Sequence, residues 1–399
     1  GNLQLARSRN DLGYALTRLA LRPLMLQSMN DLLTFRKTFL DFARKHLGTL
    51  MPGYTHTQPA QPSTMAHYIA GILSCLERDM GRLFFAYDTN NQSPLGAAAL
   101  TGTGFPIDRQ LSADLLGFDS VIASSYDSIA SSDNLTDVAN VLNSIGTNLS
   151  RFTRDMLFWA TQESGAIRID DSFIQISSIM PQKRNPVVLE HIRARISRMI
   201  ARAQGIVLQC HNIPFGDTQD IEDEIFPFIF GGLETSHEIL QLYIAVIETL
   251  HVNVNHLRER TIDGFTTVTE LADTLVREAN LPFRQAHSVV SGMVTYALEN
   301  QLQPTQLTPE IMREVSLERI GHEVILSDET LKTALDPQAF VDKRIVTGGV
   351  SAQATADVLD GVEKKIAQDQ DNYETRLKYL AHSETKLAQQ VSAITEENS

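Results

Sequence analysis

The chain has 399 residues, of which 43% are hydrophobic and 21% charged, a composition typical of a globular protein with a large core. Its formal net charge of -14 argues against nucleic-acid binding, because an acidic surface repels phosphates and no basic block offsets it. Cys75 and Cys210 are too few for a disulfide framework, and no apolar run reaches the roughly 18 to 20 residues of a membrane span, so we expect a cytoplasmic protein.

The apolar spacing predicts long helices through most of the chain. The first runs from Asp11 to His46 and is expected to kink at Pro23. Residues 51–62 contain three prolines and a glycine, which indicates a connector, and residues 88–109 are rich in Gly, Asn, Ser and Thr, which indicates a loop. The next helices are predicted at residues 63–87, 110–116, 128–164, 186–210 and 221–256.

Few segments alternate with a period of two, so the predicted fold class is all-α, with long helices joined by short loops as in an extended bundle. A composition break at residues 260–264 indicates a second, smaller helical domain. We therefore predict a long central helical-bundle domain over residues 1–258 and a smaller C-terminal helical domain over residues 259–399. The helices of the second domain are expected near 268–279, 284–300, 308–315 and 328–334, followed by a long last helix at 351–390.

A pair of serines, Ser177 and Ser178, lies in a polar loop ahead of the helix predicted at 186–210. We expect this helix to have Asn185 as its N-cap and Pro186 at its first position, where the missing N–H of proline would be unpaired anyway. Free backbone donors at the helix start, beside Lys183, make a place for a small carboxylate. The spacing of these residues, taken alone, also fits an ordinary helix cap that is exposed to solvent.

Two further polar clusters are Ser8-Arg9-Asn10 and Thr55-His56. Taken alone, the first fits a helix N-terminus capped by Asn10 or Asp11, and His56 fits an ordinary loop histidine. No metal site is predicted, because the histidines of the chain show no spacing suited to metal ligation.

These clusters resemble known family motifs. The run from Ser177 to Pro186, followed by Glu190, resembles the SSxMPxKxNPxxxE segment of the fumarase/aspartase superfamily. The segments ARSRND, at residues 6–11, and GYTHTQPAQP, at residues 53–62, are similar to segments of the argininosuccinate lyase family. The resemblance continues at residues 94–96, 105–109, 265–294 and 347–349. It covers nearly the whole chain and implies a fumarase/aspartase-like fold.

The resemblance implies an enzyme that cleaves a C–N or C–O bond and releases fumarate without a cofactor or metal. It also implies a homotetramer in which each active site is assembled from three subunits. Ser177 is implied as the base and His56 as the acid or its relay, held by Glu190. Lys183, with Asn185, is implied to bind the succinyl carboxylates. The other substrate-binding residues implied are Ser8, Arg9, Asn10, Thr55, Ser178 and Gln219.

These residue types suit an elimination. Removing a proton from the carbon next to a carboxylate gives a carbanion that is stabilised only as an enediolate. Cations and hydrogen-bond donors must therefore already be in place, and Lys183 and a helix start supply them. A histidine held by a carboxylate is suited to protonating the leaving nitrogen near neutral pH. Serine is a poor base, so Ser177 needs nearby positive charge and donors, and a loop that closes over the substrate would help.

Three positions depart from the family pattern. Ile176 stands where the family has glycine before the serines, and a β-branched residue restricts the backbone there. In the segment that recognises the amine in the argininosuccinate lyase family, Gln219 matches a glutamine, whereas Phe215 stands in place of a tyrosine and Glu222 in place of a lysine. A carboxylate instead of an ammonium reverses the charge offered to that part of the ligand.

The resemblance implies, as its leading interpretation, cleavage of argininosuccinate to arginine and fumarate in arginine biosynthesis. The first alternative is a related lyase acting on another N-substituted aspartate, such as adenylosuccinate. The second is a non-catalytic, crystallin-like paralogue, against which the retention of Ser177, His56 and Glu190 argues. Because the chain begins Gly1-Asn2-Leu3 and reaches the first motif at once, we expect a preceding segment in the natural protein. Residues 1–3 lie outside the residues described below.

Overall fold

The computed structural model of the chain describes residues 4–397 and confirms the predicted all-α class. The helices are α1 (Arg9–Lys45), α2 (Met65–Asn90), α3 (Arg109–Leu115), α4 (Asp133–Trp159), α5 (Val187–Cys210), α6 (Gln219–Glu222), α7 (Phe226–Glu248), α8 (Val254–Asp263), α9 (Val268–Glu278), α10 (Phe283–Glu299), α11 (Pro309–Ile320), α12 (Asp328–Leu335), α13 (Pro337–Asp342) and α14 (Ala352–Glu397). The strands are β1 (Leu50–Thr55), β2 (Gln58–Thr64), β3 (Gln92–Ser93), β4 (Ser120–Val121), β5 (Ile167–Arg168), β6 (Gln175–Ile176), β7 (Arg184–Asn185) and β8 (His251–Val252). The strands form two-stranded pairs, which are antiparallel for β1–β2, β5–β8 and β6–β7 and parallel for β3–β4.

The main hydrophobic core is enclosed by α1, α2, α4, α5 and α7. Helix α1 continues through Pro23 and contributes apolar residues at helical spacing. The centre of the core is aromatic: the ring centroids of Phe39 and Phe152 lie 5.0 Å apart, and those of Phe152 and Tyr243 lie 5.8 Å apart. Because burial of each such ring stabilises the fold by about 1.5–3 kcal/mol, these helices form a firm scaffold from which the loops project. Within residues 4–397, no helix combines the length and the hydrophobicity of a membrane span.

A second, smaller core is formed mainly by α9, α10, α11 and α12. The last helix, α14, packs on α1 and α2 instead, and its residues Leu359, Val362 and Ile366 are buried in the main core. Arg36 of α1 and Asp369 of α14 form a buried ion pair at 2.6 Å. The division into domains at residue 258 stays a prediction, but the packing of α14 places that helix with the main core.

The segment predicted as a connector is an antiparallel hairpin, so this prediction is wrong. Strands β1 and β2 pair from Leu50 and Thr64 to Thr55 and Gln58, with a bulge after Gly53. Prolines cannot donate to a ladder, but a two-stranded hairpin has only edge strands, where proline is tolerated. The three prolines therefore do not interrupt the pairing.

The single helix predicted over residues 221–256 is three helices, α6, α7 and α8. Pro227 lies in the first turn of α7, where its missing N–H would have no helical partner, so it starts a new helix. After α7 ends at Glu248, strand β8 pairs with β5 before α8 begins. The helix predicted over 128–164 is also shorter, since α4 begins at Asp133 and ends at Trp159.

Candidate active site

The serine loop, residues 177–183, is the turn of a short hairpin. Strands β6 and β7 pair antiparallel at its base, with Ile176 opposite Arg184. Arg184 also forms an ion pair with Asp171, which ties the second strand to the segment before the first. Ser177 is half-buried, whereas residues 178–183 are all exposed. The loop is therefore fixed at its base and open to solvent along its length.

The backbone of the serine loop supplies a donor to Ser177. The backbone N–H of Met180 donates to Ser177 Oγ at 3.1 Å, and the N–H of Lys183 donates to the Met180 carbonyl oxygen at 2.9 Å. A donor directed at a serine oxygen stabilises negative charge on that oxygen. The side chains of Ser178 and Lys183 are exposed on the same loop.

Helix α5 begins at Val187, directly after this hairpin, and its N-cap is Pro186. The prediction of Asn185 as N-cap is wrong, because Asn185 is part of β7 and pairs with Gln175. Among the described residues, no side chain caps the first turn of α5. Its first N–H groups therefore stay open to an anion close to the serine loop.

His56 and Thr57 form the exposed tip of the β1–β2 hairpin, next to Thr55 at the end of β1. Both tip residues have positive φ, 51° and 63°. Such a two-residue turn matches the twist of the strands, but it favours Asn and Gly, and for a β-branched residue it costs on the order of 1–3 kcal/mol. The Thr57 hydroxyl donates to the His56 carbonyl oxygen at 2.6 Å. The hairpin therefore presents His56 to solvent in a strained turn.

The N-cap of α1 is Ser8, so the expectation of Asn10 or Asp11 as cap is wrong. Ser8 Oγ accepts from the backbone N–H of Asn10 at 3.3 Å, while Asp11 accepts from the backbone N–H of Ser8 at 3.1 Å. This reciprocal pattern is a capping box: the N-cap side chain accepts from a backbone N–H in the first turn, and a first-turn side chain accepts from the backbone N–H of the N-cap. It fixes the residues of the first motif relative to the helix axis.

Asp11 also holds a distant loop. It is fully buried, and its second oxygen accepts from the backbone N–H groups of Gly96 and Ala98, each at 3.0 Å. Asn10 donates to the carbonyl oxygen of Ala99 at 3.2 Å. Residues 96–99 are thereby joined to the start of α1, beside Ser8.

Arg9 is joined to residues 215–223, which we call the amine-recognition segment after the role that the sequence predicts for them. Its guanidinium donates to the two carboxylate oxygens of Glu222 at 2.7 and 2.6 Å and to Asp217 at 3.2 Å. The hydrogen bonds to Glu222 and its charge raise the pKa of Arg9 above its ordinary value. Gln219 donates to Glu222 at 2.8 Å. Two predicted substrate-binding residues, Arg9 and Gln219, are thus both engaged by Glu222.

Phe215 begins this segment with a ring stacked on Tyr126. The ring centroids are 5.9 Å apart and the planes differ by 8°. Phe215 remains 63% exposed, so the stacking covers one face and leaves the other open. The position at which the family pattern has a tyrosine therefore offers a ring surface without a hydroxyl.

The predicted residues fall into separate groups within one chain. Ser177, Ser178, Lys183 and Asn185 share the serine-loop hairpin, and Arg9 contacts the amine-recognition segment. Glu190 is exposed in the first turn of α5, and within residues 4–397 no hydrogen bond or ion pair joins it to His56. The catalytic residues predicted from sequence therefore lie on two different hairpins and one helix, and Ser177 among them is half-buried.

Two acidic residues at this site were not found from the sequence as site residues. Asp11 stands three positions after Ser8, which is the spacing of a capping box. Asp217 belongs to a run with five acidic residues, and no Lys or Arg, over 212–225. In the part of the chain that the structure describes, no three His, Cys, Asp or Glu side chains are grouped so that they could hold a metal ion.

The chain is similar to known lyases along most of its length. A family model described as "Lyase" matches residues 1–201, and one described as "Argininosuccinate lyase C-terminal" matches residues 265–342. The chain is 35% identical over 369 residues to argininosuccinate lyase 1 of Shouchella clausii, covering 92% of this chain and 74% of that protein. It is 36% identical over 375 residues to the argininosuccinate lyase of Methanococcoides burtonii, covering 94% and 75%.

Among solved structures, an EDDS lyase variant with bound fumarate superposes with a TM-score of 0.93 at 29% identity, covering 98% of this chain and 78% of that one. The chain belongs to the fumarase/aspartase superfamily of lyases. More particularly, it carries the argininosuccinate lyase C-terminal domain and falls among the fumarate-releasing lyases that break C–N bonds.

Proposed function

We propose that the protein cleaves the C–N bond of argininosuccinate by β-elimination, releasing arginine and fumarate. One observation carries the proposal: Ser177, Lys183 and Asn185 lie on a single exposed hairpin directly before α5, in a chain 35% identical to an argininosuccinate lyase. In this proposal the base and the carboxylate-binding groups belong to one short segment. The similarity to argininosuccinate lyases supports arginine as the leaving amine.

In this proposal, Ser177 takes the proton from the carbon next to a succinyl carboxylate. The Met180 N–H, already 3.1 Å from Ser177 Oγ, stabilises negative charge on the oxygen. Lys183 and the uncapped start of α5 bind the carboxylate and stabilise the enediolate, because their positive charge and donors are in place before the charge develops. Ser178 and Asn185 complete the carboxylate contacts.

His56 protonates the leaving nitrogen, and Glu190 orients its ring. Both side chains are exposed, and they lie on different elements of one chain. We therefore propose a homotetramer in which different subunits contribute the His56 hairpin and the serine loop to shared sites. Mixing inactive Ser177→Ala protein with inactive His56→Asn protein should restore part of the activity, because some mixed sites then contain both intact residues. No recovery after subunit exchange would contradict shared sites.

The direct test of the reaction is fumarate release, followed by ultraviolet absorbance, with argininosuccinate, adenylosuccinate and aspartate supplied in parallel. We expect turnover of argininosuccinate that is lost in Ser177→Ala and retained in Ser164→Ala, a serine that is likewise half-buried and lies in the turn after α4. If an intact oligomer releases fumarate from none of the three compounds, the proposal of argininosuccinate as substrate is refuted.

A second candidate is a lyase that acts on another N-substituted aspartate. It is favoured by Glu222, which replaces the lysine of the family pattern and accepts two hydrogen bonds from Arg9. The similarity to an EDDS lyase, at a TM-score of 0.93, supports it as well. The two candidates share the succinyl chemistry and differ only in the amine that leaves.

A further inference from the structure

We propose that a cavity between the β1–β2 hairpin and the end of α4 binds a free α-amino acid with an aromatic side chain. The cavity has a volume of about 450 Å³, which lies in the range of small-molecule sites. Among the described residues that line it, none is a predicted catalytic or substrate-binding residue. The inference therefore goes beyond the proposed function and does not depend on it.

The first support is the aromatic lining of the cavity. The rings of Tyr54 and Phe158 meet edge to face with centroids 5.4 Å apart, and those of Tyr68 and Trp159 do so at 4.9 Å. All four residues line the cavity, and the first three named are half-buried or lie at its wall. Packing of one aromatic ring against another is more favourable than the buried area alone accounts for. The lining therefore favours a ligand with an aromatic side chain.

The second support is a carboxylate with a free oxygen. Asp155 lines the cavity, and its Oδ2 accepts from the Tyr68 hydroxyl at 2.5 Å, whereas within residues 4–397 no hydrogen bond or ion pair engages its Oδ1. Burial, followed by this hydrogen bond, raises the pKa of Tyr68, so the phenol stays protonated and fixes the carboxylate. An ammonium group offers three N–H donors and a positive charge. The free oxygen of Asp155 therefore suits the ammonium of an amino acid.

The third support is a pair of donors at the same cavity. Trp159 is only 4% exposed, and its indole N–H has no hydrogen-bond partner in the part of the chain that the structure describes. A tryptophan buried to this degree usually has a partner for its N–H, so a donor is available here to a ligand. Arg154, which is exposed, lines the cavity as well. An indole N–H and a guanidinium together suit the carboxylate of an amino acid.

The two charged residues of the cavity favour a ligand that carries both charges. Arg154 and Asp155 are adjacent in α4, and neither forms an ion pair with any other residue of the described range. A ligand with one charge would leave one of them unpaired, whereas the ammonium and carboxylate of an amino acid engage both. A succinyl group has two carboxylates and would bring one of them toward Asp155. The cavity is therefore not suited to the succinyl half of the proposed substrate.

A ligand in this cavity would join the β1–β2 hairpin to the main core. Residues 51–54 of β1 form one wall, and α4 forms the opposite wall. Strand β1 ends at Thr55, next to His56. Because a ligand that binds only the folded protein stabilises it, the melting temperature should rise with the concentration of the amino acid.

The test is calorimetric titration of the full chain with four compounds that differ by one group. L-phenylalanine has all three features, 3-phenylpropionate lacks the ammonium, 2-phenylethylamine lacks the carboxylate, and L-alanine lacks the ring. We expect saturable binding of L-phenylalanine, at least about tenfold tighter than binding of each of the other three compounds. No saturable binding of L-phenylalanine, or equal binding of all four compounds, would overturn the inference.

Variants assign the binding to this cavity. Asp155→Asn keeps an oxygen for the Tyr68 hydroxyl, and it should weaken the binding of L-phenylalanine at least about tenfold, as should Arg154→Gln. Arg151→Gln, an exposed arginine one turn earlier in α4, and Ser177→Ala should leave this binding unchanged. Because Arg154 is exposed, Arg154→Gln decides the question if Asp155→Asn does not fold. Unchanged binding in Arg154→Gln, or loss of binding in Ser177→Ala, would overturn the assignment.

Discussion

The buried carboxylate of Asp11 lies 3.0 Å from the backbone nitrogen of Gly96, although 85 positions separate the two residues in the chain. The same oxygen accepts from Ala98, and the other oxygen accepts from Ser8. One side chain thus fixes both the helix cap and the loop beside it. This arrangement fixes the start of α1 against residues 96–98.

Asp11→Asn is expected to loosen this junction. An amide has one acceptor oxygen and one donor nitrogen, so at least one of the three N–H groups would face another donor, at a cost of about 1–3 kcal/mol. Thermal unfolding should show the loss, and fumarate release should fall with it. Asp41→Asn, at an exposed position of the same helix, is the control and should leave the melting temperature unchanged. Equal stability of both variants would show that the junction is not needed.

His56→Asn should remove activity while preserving the hairpin. Asparagine tolerates positive φ, so the turn is retained, but the acid is lost and the rate should fall by roughly 10² to 10⁴-fold. The measurement is fumarate release, with circular dichroism and the melting temperature as checks of folding. A variant that is fully active would exclude His56 as the acid.

Thr57→Gly should raise stability, because glycine adopts a φ of 63° without the steric cost that a β-branched residue incurs. The expected gain is about 1 kcal/mol in the free energy of unfolding, measured by urea titration. Thr38→Gly, in the helix α1 where φ is ordinary, is the opposite control and should destabilise the protein. A loss of stability in Thr57→Gly would show that the turn is not strained.

The stability of the smaller core should depend on the charge of Glu270, and this dependence should weaken at acid pH. Burial acts to raise the pKa of this carboxyl, but hydrogen bonds from Lys343 and Arg277, at 3.0 and 2.6 Å, lower it below its ordinary value. A folded-state pKa below the unfolded one stabilises the fold above the ordinary value, and this contribution is lost as pH falls through the lowered pKa. Glu270→Gln should therefore reduce stability by roughly 1 kcal/mol at pH 7, since the cations are partly exposed and screened.

The measurement for Glu270→Gln is its melting temperature relative to the unmodified protein between pH 7 and pH 3. The difference should be largest at neutral pH and should shrink as pH falls toward the lowered pKa of Glu270, because the carboxylate then begins to be protonated. Glu278→Gln, on the same helix, is the exposed control. A difference that does not change with pH would contradict the role of the Glu270 charge.

Asp369→Ala should be strongly destabilising. It leaves Arg36 as a buried cation without its partner, and within the described residues two nitrogens of Arg36 already lack hydrogen bonds. Breaking one side of a buried ion pair costs about 3–5 kcal/mol. Asp371→Ala, exposed on the same helix, should cost little. The midpoints of urea unfolding distinguish the two, and equal midpoints would refute the importance of the pair.

Most helices are predictable from the sequence because apolar spacing is a local signal. The hairpin at residues 51–62 escapes prediction, since its prolines are tolerated only because both strands are edges. Asn185 is misassigned as a cap because its strand partner, Gln175, lies before the serine loop. The pairing of Arg9 with Glu222 joins residues 213 positions apart, and no local pattern reveals such a contact.

The packing of α14 against α1 has a consequence for how the chain folds as it is made. Arg36 and Asp369 are separated by 333 positions, so at about 5–20 residues per second the ribosome adds Asp369 roughly 17 to 67 s after Arg36. During that interval the first helix has emerged with an uncompensated arginine on the face that will be buried. The main core is therefore completed last, after the smaller core between the two helices has already been synthesised.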